Sequence, residues 1–144
     1  MNSMYDIGSN NGYLLLRAAQ QYRLEIAKVL QPQGITPTQF FILMSIWYQA
    51  QHTAPPTQVT VAEYAAVDIN VTSQVIRKLL ACGLIKRSVK PGDSRAYVLT
   101  LTAEGETLAK AAGRSAEEFH QTFFHSINQQ NLQTELRQLI KTDK

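Results

Sequence analysis

The sequence has little of what secreted, membrane-spanning or thiolate-metal proteins need. Its 144 residues include a single cysteine, which excludes an internal disulfide framework and any zinc site built from several thiolates. No apolar run approaches the ~18 residues of a membrane span. The N-terminus has neither the basic start nor the apolar stretch of a signal peptide. We therefore expect a protein of the reducing cytoplasm.

Catalytic and cofactor motifs are also missing. The sequence has no Ser-His-Asp order, no glycine-rich phosphate loop and no paired-carboxylate pattern. Its histidines lack a spacing that favours a metal. Cys82 is expected at the end of a helix, where the negative end of the dipole disfavours a thiolate, so a structural role is favoured over a redox role. We expect neither an enzyme nor a bound cofactor or metal.

Positive charge is concentrated in one stretch of the chain. Residues 71–100 hold six basic residues against one acid, whereas the rest of the chain holds eight basic and ten acidic residues. A local basic patch is typical of nucleic-acid binding, but a solvated face without a partner explains charge alone equally well. Both interpretations stay open at this point.

Periodicity, caps and breakers predict a mainly α-helical chain with one small β-hairpin. Thr36 and Gln39 form the pattern of a capping box. Gly83 stands where a left-handed residue ends a helix, and Pro91 with Gly92 marks a turn between strands. The expected helices cover 13–30, 37–48, 61–66, 71–82, 103–126 and 131–141, the strands 84–89 and 96–101, and the loops 49–58 and 90–95.

This order of elements indicates a winged helix-turn-helix. Two short helices across a tight turn precede a hairpin, which is the arrangement of such a lobe. The long helices before and after it exceed what the lobe needs. Because these helices carry apolar stripes, we expect them to pack against a second subunit.

Residues 70–82, placed on a helical wheel, separate into an apolar arc and a polar arc. The polar arc holds amide, hydroxyl and guanidinium groups that can bond to base edges, and no carboxylate. Its members are Asn70, Ser73, Gln74, Arg77, Lys78 and Ala81. Thr72 lies with the apolar set, which favours a packed threonine or an N-terminal hydroxyl over a main base-reading role. An ordinary solvated face is the alternative for the whole arc.

The hairpin favours the DNA interpretation. Lys90 and Arg95 lie at its tip, and Lys86 and Arg87 lie on the incoming strand. A basic hairpin beside a helix-turn-helix can follow the DNA backbone while an arginine enters the minor groove. Asp93 is expected to hold the Arg95 guanidinium by charge-assisted bonds. A surface turn closed by a weak ion pair is the alternative.

Three stretches together resemble the MarR (multiple antibiotic resistance regulator) family. They are GLIKRSVKPGDSRAYVLTLTAEG at 83–105, TSQVIRKLLACGL at 72–84 and GITPTQFFILMSI at 34–46. The first stretch contains the Asp-x-Arg-Ala and Leu-Thr-x-x-Gly patterns of the wing and the following helix. The resemblance covers about residues 12–112 without a gap.

The resemblance implies a transcriptional regulator that binds double-stranded DNA as a homodimer, usually a repressor released by a small lipophilic or phenolic effector. It implies a DNA-binding lobe over 36–101 and dimerisation helices over 10–33 and 102–144. The candidate DNA-contacting residues are Asn70, Thr72, Ser73, Gln74, Arg77, Lys86, Arg87, Lys90, Asp93 and Arg95.

Two questions stay open at this stage. A winged-helix module that binds protein and no longer reads DNA is the alternative function, although the basic hairpin and the acid-free helix face argue against it. Four aromatic residues could line the effector cleft, with an ordinary core position favoured for them. They are Phe40, Phe41, Trp47 and Tyr48.

Overall fold

The computed structural model describes residues 4–140 and confirms the predicted fold class. The described chain forms six α-helices, a two-stranded antiparallel hairpin and short 3-10 turns at Ile7–Ser9 and Gln31–Gln33. The elements are α1 (Asn11–Leu30), α2 (Pro37–His52), α3 (Gln58–Ala65), α4 (Ile69–Ala81), β1 (Ile85–Lys90), β2 (Asp93–Leu101), α5 (Ala103–Phe123) and α6 (Gln129–Leu139). Lys141, the predicted end of the last helix, lies outside the described residues.

Local capping chemistry fixes where the helices of the winged lobe begin. The capping box of α2 is confirmed, because the Gln39 N–H donates to Thr36 Oγ1 at 3.1 Å while the Thr36 N–H donates to Gln39 Oε1 at 3.0 Å. At the end of α4, Gly83 adopts the expected left-handed backbone with φ of 74°.

Two of the predicted loops are shorter than expected. The loop over 49–58 was predicted from its polar residues, yet α2 continues to His52 and α3 begins at Gln58 because Thr57 Oγ1 accepts from the Thr60 N–H. The loop over 90–95 reduces to Pro91 and Gly92, since Gly92 takes a left-handed backbone with φ of 84°. β2 therefore starts at Asp93, inside the predicted loop.

The core of the lobe is built from α2, α3, α4 and the hairpin. Apolar side chains on the inner faces of these elements meet with almost no exposed surface, which anchors α4 with its polar face outward. The buried members are Ile42, Leu43, Ile46, Val61, Ile76, Leu79, Ile85, Leu99 and, from α5, Ala109.

A second, smaller cluster joins α1 and α5 to the start of α2. Its buried members are Ile26, Leu30, Ile35, Phe40, Ala112 and Ala116. Small alanines on α5 allow α1 to pack closely against it. Within residues 4–140, no helix combines the length and hydropathy that crossing a membrane requires.

A tight joint connects the end of α4 to the start of α5. Thr102 Oγ1 donates to the Gly83 carbonyl at 2.6 Å, and the Thr102 N–H donates to the Leu84 carbonyl at 3.1 Å. A Cβ at Gly105 would overlap the Leu84 carbonyl, so only glycine fits where α5 crosses this loop. The joint fixes the direction in which α5 leaves the lobe.

Candidate nucleic-acid interface

The first turn of α4 is set by a cap that the sequence analysis did not identify. Asp68 Oδ1 accepts from the backbone N–H groups of Asn70 at 2.8 Å and Val71 at 3.2 Å. The helix therefore starts at Ile69 rather than at Val71, and Asn70 becomes a first-turn residue with an exposed side chain. The negative charge of Asp68 stabilises the positive end of the helix dipole, and Asp68 precedes the residues of the polar face.

The polar face of α4 is exposed where the wheel predicted it. Asn70, Gln74 and Arg77 are exposed, and Ser73 is half-buried. Arg77 Nη1 donates to Ser73 Oγ at 2.9 Å, one helical turn earlier. This bond lays the guanidinium along the helix toward its N-terminal half. Amide, hydroxyl and guanidinium groups thus form one continuous surface.

Thr72 is a correction to the predicted set of DNA contacts. Its side chain is completely buried, and its hydroxyl lies 3.4 Å from the Val67 carbonyl that accepts its proton. A group with no exposed surface has no route to a base or a phosphate. Its placement among the contacting residues is therefore wrong, whereas its interpretation as a packed threonine is confirmed.

The hairpin exposes four cations, two near the start of β1 and two at its tip. Lys86, Arg87, Lys90 and Arg95 are all exposed. The ladder is regular up to the pairing of Val89 with Tyr97 and then shifts, so that Lys90 pairs with Asp93. Arg95 lies in the irregular stretch that this shift creates, where an unpaired residue can turn its side chain away from the ladder.

Asp93 contacts the backbone of Arg95 and not its guanidinium as predicted. Its Oδ1 accepts from the backbone N–H of Arg95 at 3.1 Å. The predicted bond to the Arg95 guanidinium is replaced by this backbone contact, because a short carboxylate closes a turn two residues on more readily than it reaches a long side chain. The guanidinium of Arg95 extends from a fixed backbone.

A cavity of about 470 Å³ lies among α1, the start of α2, α5 and α6. Its wall is largely apolar and includes the aromatic rings of Tyr22, Phe41, Phe123 and Phe124. Its lining contains one polar contact, since Tyr22 Oη lies 2.7 Å from His120 Nε2. Its apolar lining fits a small lipophilic molecule with few polar groups.

Burial shifts the pKa values of both Tyr22 and His120. Desolvation raises the pKa of Tyr22 to about 12. Desolvation also lowers the pKa of His120, and the nearby negative charge of Glu117 opposes that shift. Near neutral pH the pair is therefore a phenol and a neutral imidazole, which can share one hydrogen bond.

Little in the sequence indicates this cavity. Of the aromatic residues considered for a cleft, Phe41 lines the cavity, Phe40 is buried in the second cluster as expected for core, and Trp47 lines a separate groove between α2 and α5. Tyr48 is exposed and stacks on Tyr64. The other walls come from helices distant in sequence, so no local pattern indicates the cavity.

Helices α1 and α6 leave a large apolar surface without a partner in the single chain. α6 has no buried residue, although its apolar positions recur with helical spacing. Exposed apolar side chains on and near these helices are Ile7, Leu14, Leu15, Leu16, Leu24, Ile127, Leu139 and Ile140. So many exposed apolar side chains on two helices are typical of an interaction site.

Comparison with known proteins places this geometry among DNA-binding regulators. The model of the MarR family matches residues 35–97. The chain is 33% identical over 131 residues to the uncharacterized HTH-type transcriptional regulator YdcH of Bacillus subtilis, covering 90% of this chain and 89% of YdcH. It is 32% identical over 101 residues to the HTH-type transcriptional repressor Rv2887 of Mycobacterium tuberculosis, covering 70% of each.

A solved structure agrees with these relatives. The structure of BpsR of Bordetella bronchiseptica, whose DNA binding is regulated by 6-hydroxynicotinic acid, has a TM-score of 0.85 and 26% identity and covers 98% of this chain and all of that one. The likeness extends over the winged lobe and the flanking helices together.

Proposed function

From the premise that the chain belongs to the MarR family, we propose that it is a ligand-responsive transcriptional repressor that binds duplex DNA as a homodimer. One observation carries the proposal: the exposed, acid-free polar face of α4 lies beside a hairpin whose charged tip is basic. Phosphate neutralisation and base-edge bonding are the two requirements of sequence-specific binding, and this surface offers groups for both.

The elements have distinct roles in this proposal. α4 enters a major groove, where Asn70, Ser73, Gln74 and Arg77 face bases or phosphates. The hairpin follows the backbone with Lys86, Arg87 and Lys90, while Arg95 enters the flanking minor groove. Asp93 contributes by fixing the backbone under Arg95.

A second copy of the chain completes the outer helices. Residues 10–33 and 102–144 form the dimerisation layer, and residues 36–101 form the DNA-binding lobe. The exposed leucines and isoleucines of α1 and α6 support this division, because a homodimer would bury them. Two lobes related by a two-fold axis match a pseudo-palindromic operator.

The effector site is the cavity between α1, α2, α5 and α6. Its apolar walls and the Tyr22–His120 pair suit a small lipophilic or phenolic molecule. The regulation of BpsR by an aromatic acid supports an effector of similar size. We place the protein in the cytoplasm, where it reaches DNA, and assign it no catalytic role.

Selection of genomic DNA fragments by the purified protein at about 0.15 M salt tests the function. We expect enrichment of an inverted repeat with half-sites about one helical turn apart. Arg95→Ala should bind that repeat about tenfold more weakly, the scale of one lost arginine contact. Arg114→Ala, which removes the same charge from an exposed position on α5, should bind like the wild type. Enrichment without any shared sequence would contradict the proposal.

A further inference from the structure

Arg87 differs from the other cations of the hairpin in how its side chain is held. Its guanidinium carbon lies 5.6 Å from the centre of the Tyr97 ring, within the range of a cation–π contact. The register pairs Arg87 with Leu99 and Val89 with Tyr97. Because side chains alternate along a strand, Arg87 and Tyr97 share one face of the hairpin, and Lys86 points to the other.

The face that carries Arg87 looks onto the helix-turn-helix. Arg87 and Tyr97 form one wall of a cleft of about 370 Å³, and the N-terminal end of α3, with its cap Thr57 and with Gln58 and Val59, forms the other wall. The Leu99 N–H donates to the Pro56 carbonyl at 2.9 Å, which ties β2 to the residue just before α3. The distance between the two walls is therefore set by a backbone bond.

The charge of the cleft indicates what it accepts. Among its lining residues, all within the described chain, Arg87 is the sole charged one and no carboxylate is present. A guanidinium that lines a cleft without a competing carboxylate is a binding group for a phosphate. The cleft opens between the hairpin and the start of α3, so a phosphate that Arg87 binds from the DNA-contacting hairpin would belong to the duplex backbone.

The ring of Tyr97 explains why Arg87 would bind well there. A free arginine side chain loses rotamer freedom when it binds, and a side chain already held on a ring loses less. Tyr97 is 52% exposed, so burial in the core does not account for its position. Arg95 offers a contrast, because only its backbone is held.

We propose that Tyr97 is a positioning residue that holds Arg87 at this cleft to bind a phosphate of the DNA backbone. The proposal rests on the DNA-binding function proposed above. It assigns Tyr97 a role that the sequence analysis did not consider. It also separates Arg87 from Lys86, although the two residues are neighbours on one strand.

The test measures binding of the full chain to a duplex of about 30 base pairs of arbitrary sequence, from about 50 to about 200 mM salt. Tyr97→Leu removes the ring and should weaken binding about twofold to fivefold, while Tyr97→Phe keeps the ring and should match the wild type. Arg87→Ala should weaken binding and reduce the salt slope by about one phosphate. Adding Tyr97→Leu to Arg87→Ala should cost nothing further.

Three results would overturn the positioning role: wild-type affinity in Tyr97→Leu, equal losses in the Phe and Leu variants, or an additional loss when Tyr97→Leu is combined with Arg87→Ala. Arg87→Lys changes the other partner of the cation–π contact. It keeps the positive charge but loses the planar guanidinium, so this variant should bind the duplex more weakly than the wild type. A wild-type protein that bound no duplex would instead remove the DNA-binding function itself.

Discussion

The winged lobe and the outer helices differ in how completely a single chain buries their apolar residues. In the lobe, Ile42, Ile46 and Ile76 have no exposed surface. In the outer helices, α1 buries only Ile26 and Leu30, both near its C-terminal end, and α6 buries nothing. One chain therefore buries the core of the winged lobe but leaves apolar side chains of α1 and α6 exposed.

This difference assigns separate tasks to the two regions. A lobe with a closed core presents α4 and the hairpin in a fixed arrangement, whatever the outer helices contact. In the proposed homodimer, the outer helices pack against the partner and set the spacing of the two lobes. α5 connects the two regions, because it begins at the joint on Gly83 and ends at the cavity with His120 and Phe123.

The largest effect is expected from a cavity made inside the lobe. Ile76→Ala removes a completely buried side chain and should lower the free energy of unfolding by about 2–5 kcal/mol. Urea unfolding at a fixed protein concentration, followed by the fluorescence of the single tryptophan, measures it. Val59→Ala, on an exposed position of α3, should change the value by less than about 0.5 kcal/mol. Similar losses in the two variants would mean that the lobe is not a closed core.

A charge placed on the exposed apolar surface of α1 should weaken the dimer, whereas the same charge on the hairpin should not. Leu16 is 72% exposed on α1, and Leu16→Glu should raise the dimer dissociation constant at least tenfold, because a buried carboxylate without a partner is costly. Sedimentation velocity over a range of concentrations measures the change. Val89→Glu places the same charge on an exposed apolar residue of the hairpin and should leave the dimer intact. Equal dissociation in both variants would contradict the division of tasks.

The smallest effect concerns the cavity between the regions. Burial lowers the pKa of His120 from its ordinary 6.5, so below about pH 6.5 the unfolded chain binds protons that the folded chain does not. Folding stability should therefore be complete above that pH and fall on acidification. His120→Gln should reduce the loss of Tm between about pH 7.5 and pH 5.5. His52→Gln, at an exposed ring on α2, should retain the wild-type loss, and a reduction in both variants would rule out a special role for His120.

Local signals in the sequence were enough to predict most of the fold. The capping box at Thr36, the left-handed Gly83 and the arc of α4 depend on neighbouring residues, so a single sequence contains them. The end of α2 was predicted too early because Gln49, Gln51 and His52 are polar, yet the helix continues to His52 with Gln49 and Ala50 half-buried. Polarity alone does not distinguish an exposed helix from a loop.

The missing parts of the site depend on contacts between distant residues. The Arg87–Tyr97 contact follows from the strand register, which a shift near the tip makes hard to predict. The Tyr22–His120 pair joins residues 98 positions apart through the packing of α1 on α5. Asp93 was correctly associated with Arg95, but the bonding atom proved to be the backbone nitrogen.

The number of chains on one operator tests the central claim most directly. Native mass spectrometry of the 16.1 kDa chain with the selected inverted-repeat duplex gives this number. The account predicts two chains on each duplex, with Leu16→Glu losing this complex while its lobe stays folded. A single wild-type chain bound to a duplex that contains both half-sites would contradict the claim that a second copy completes the outer helices.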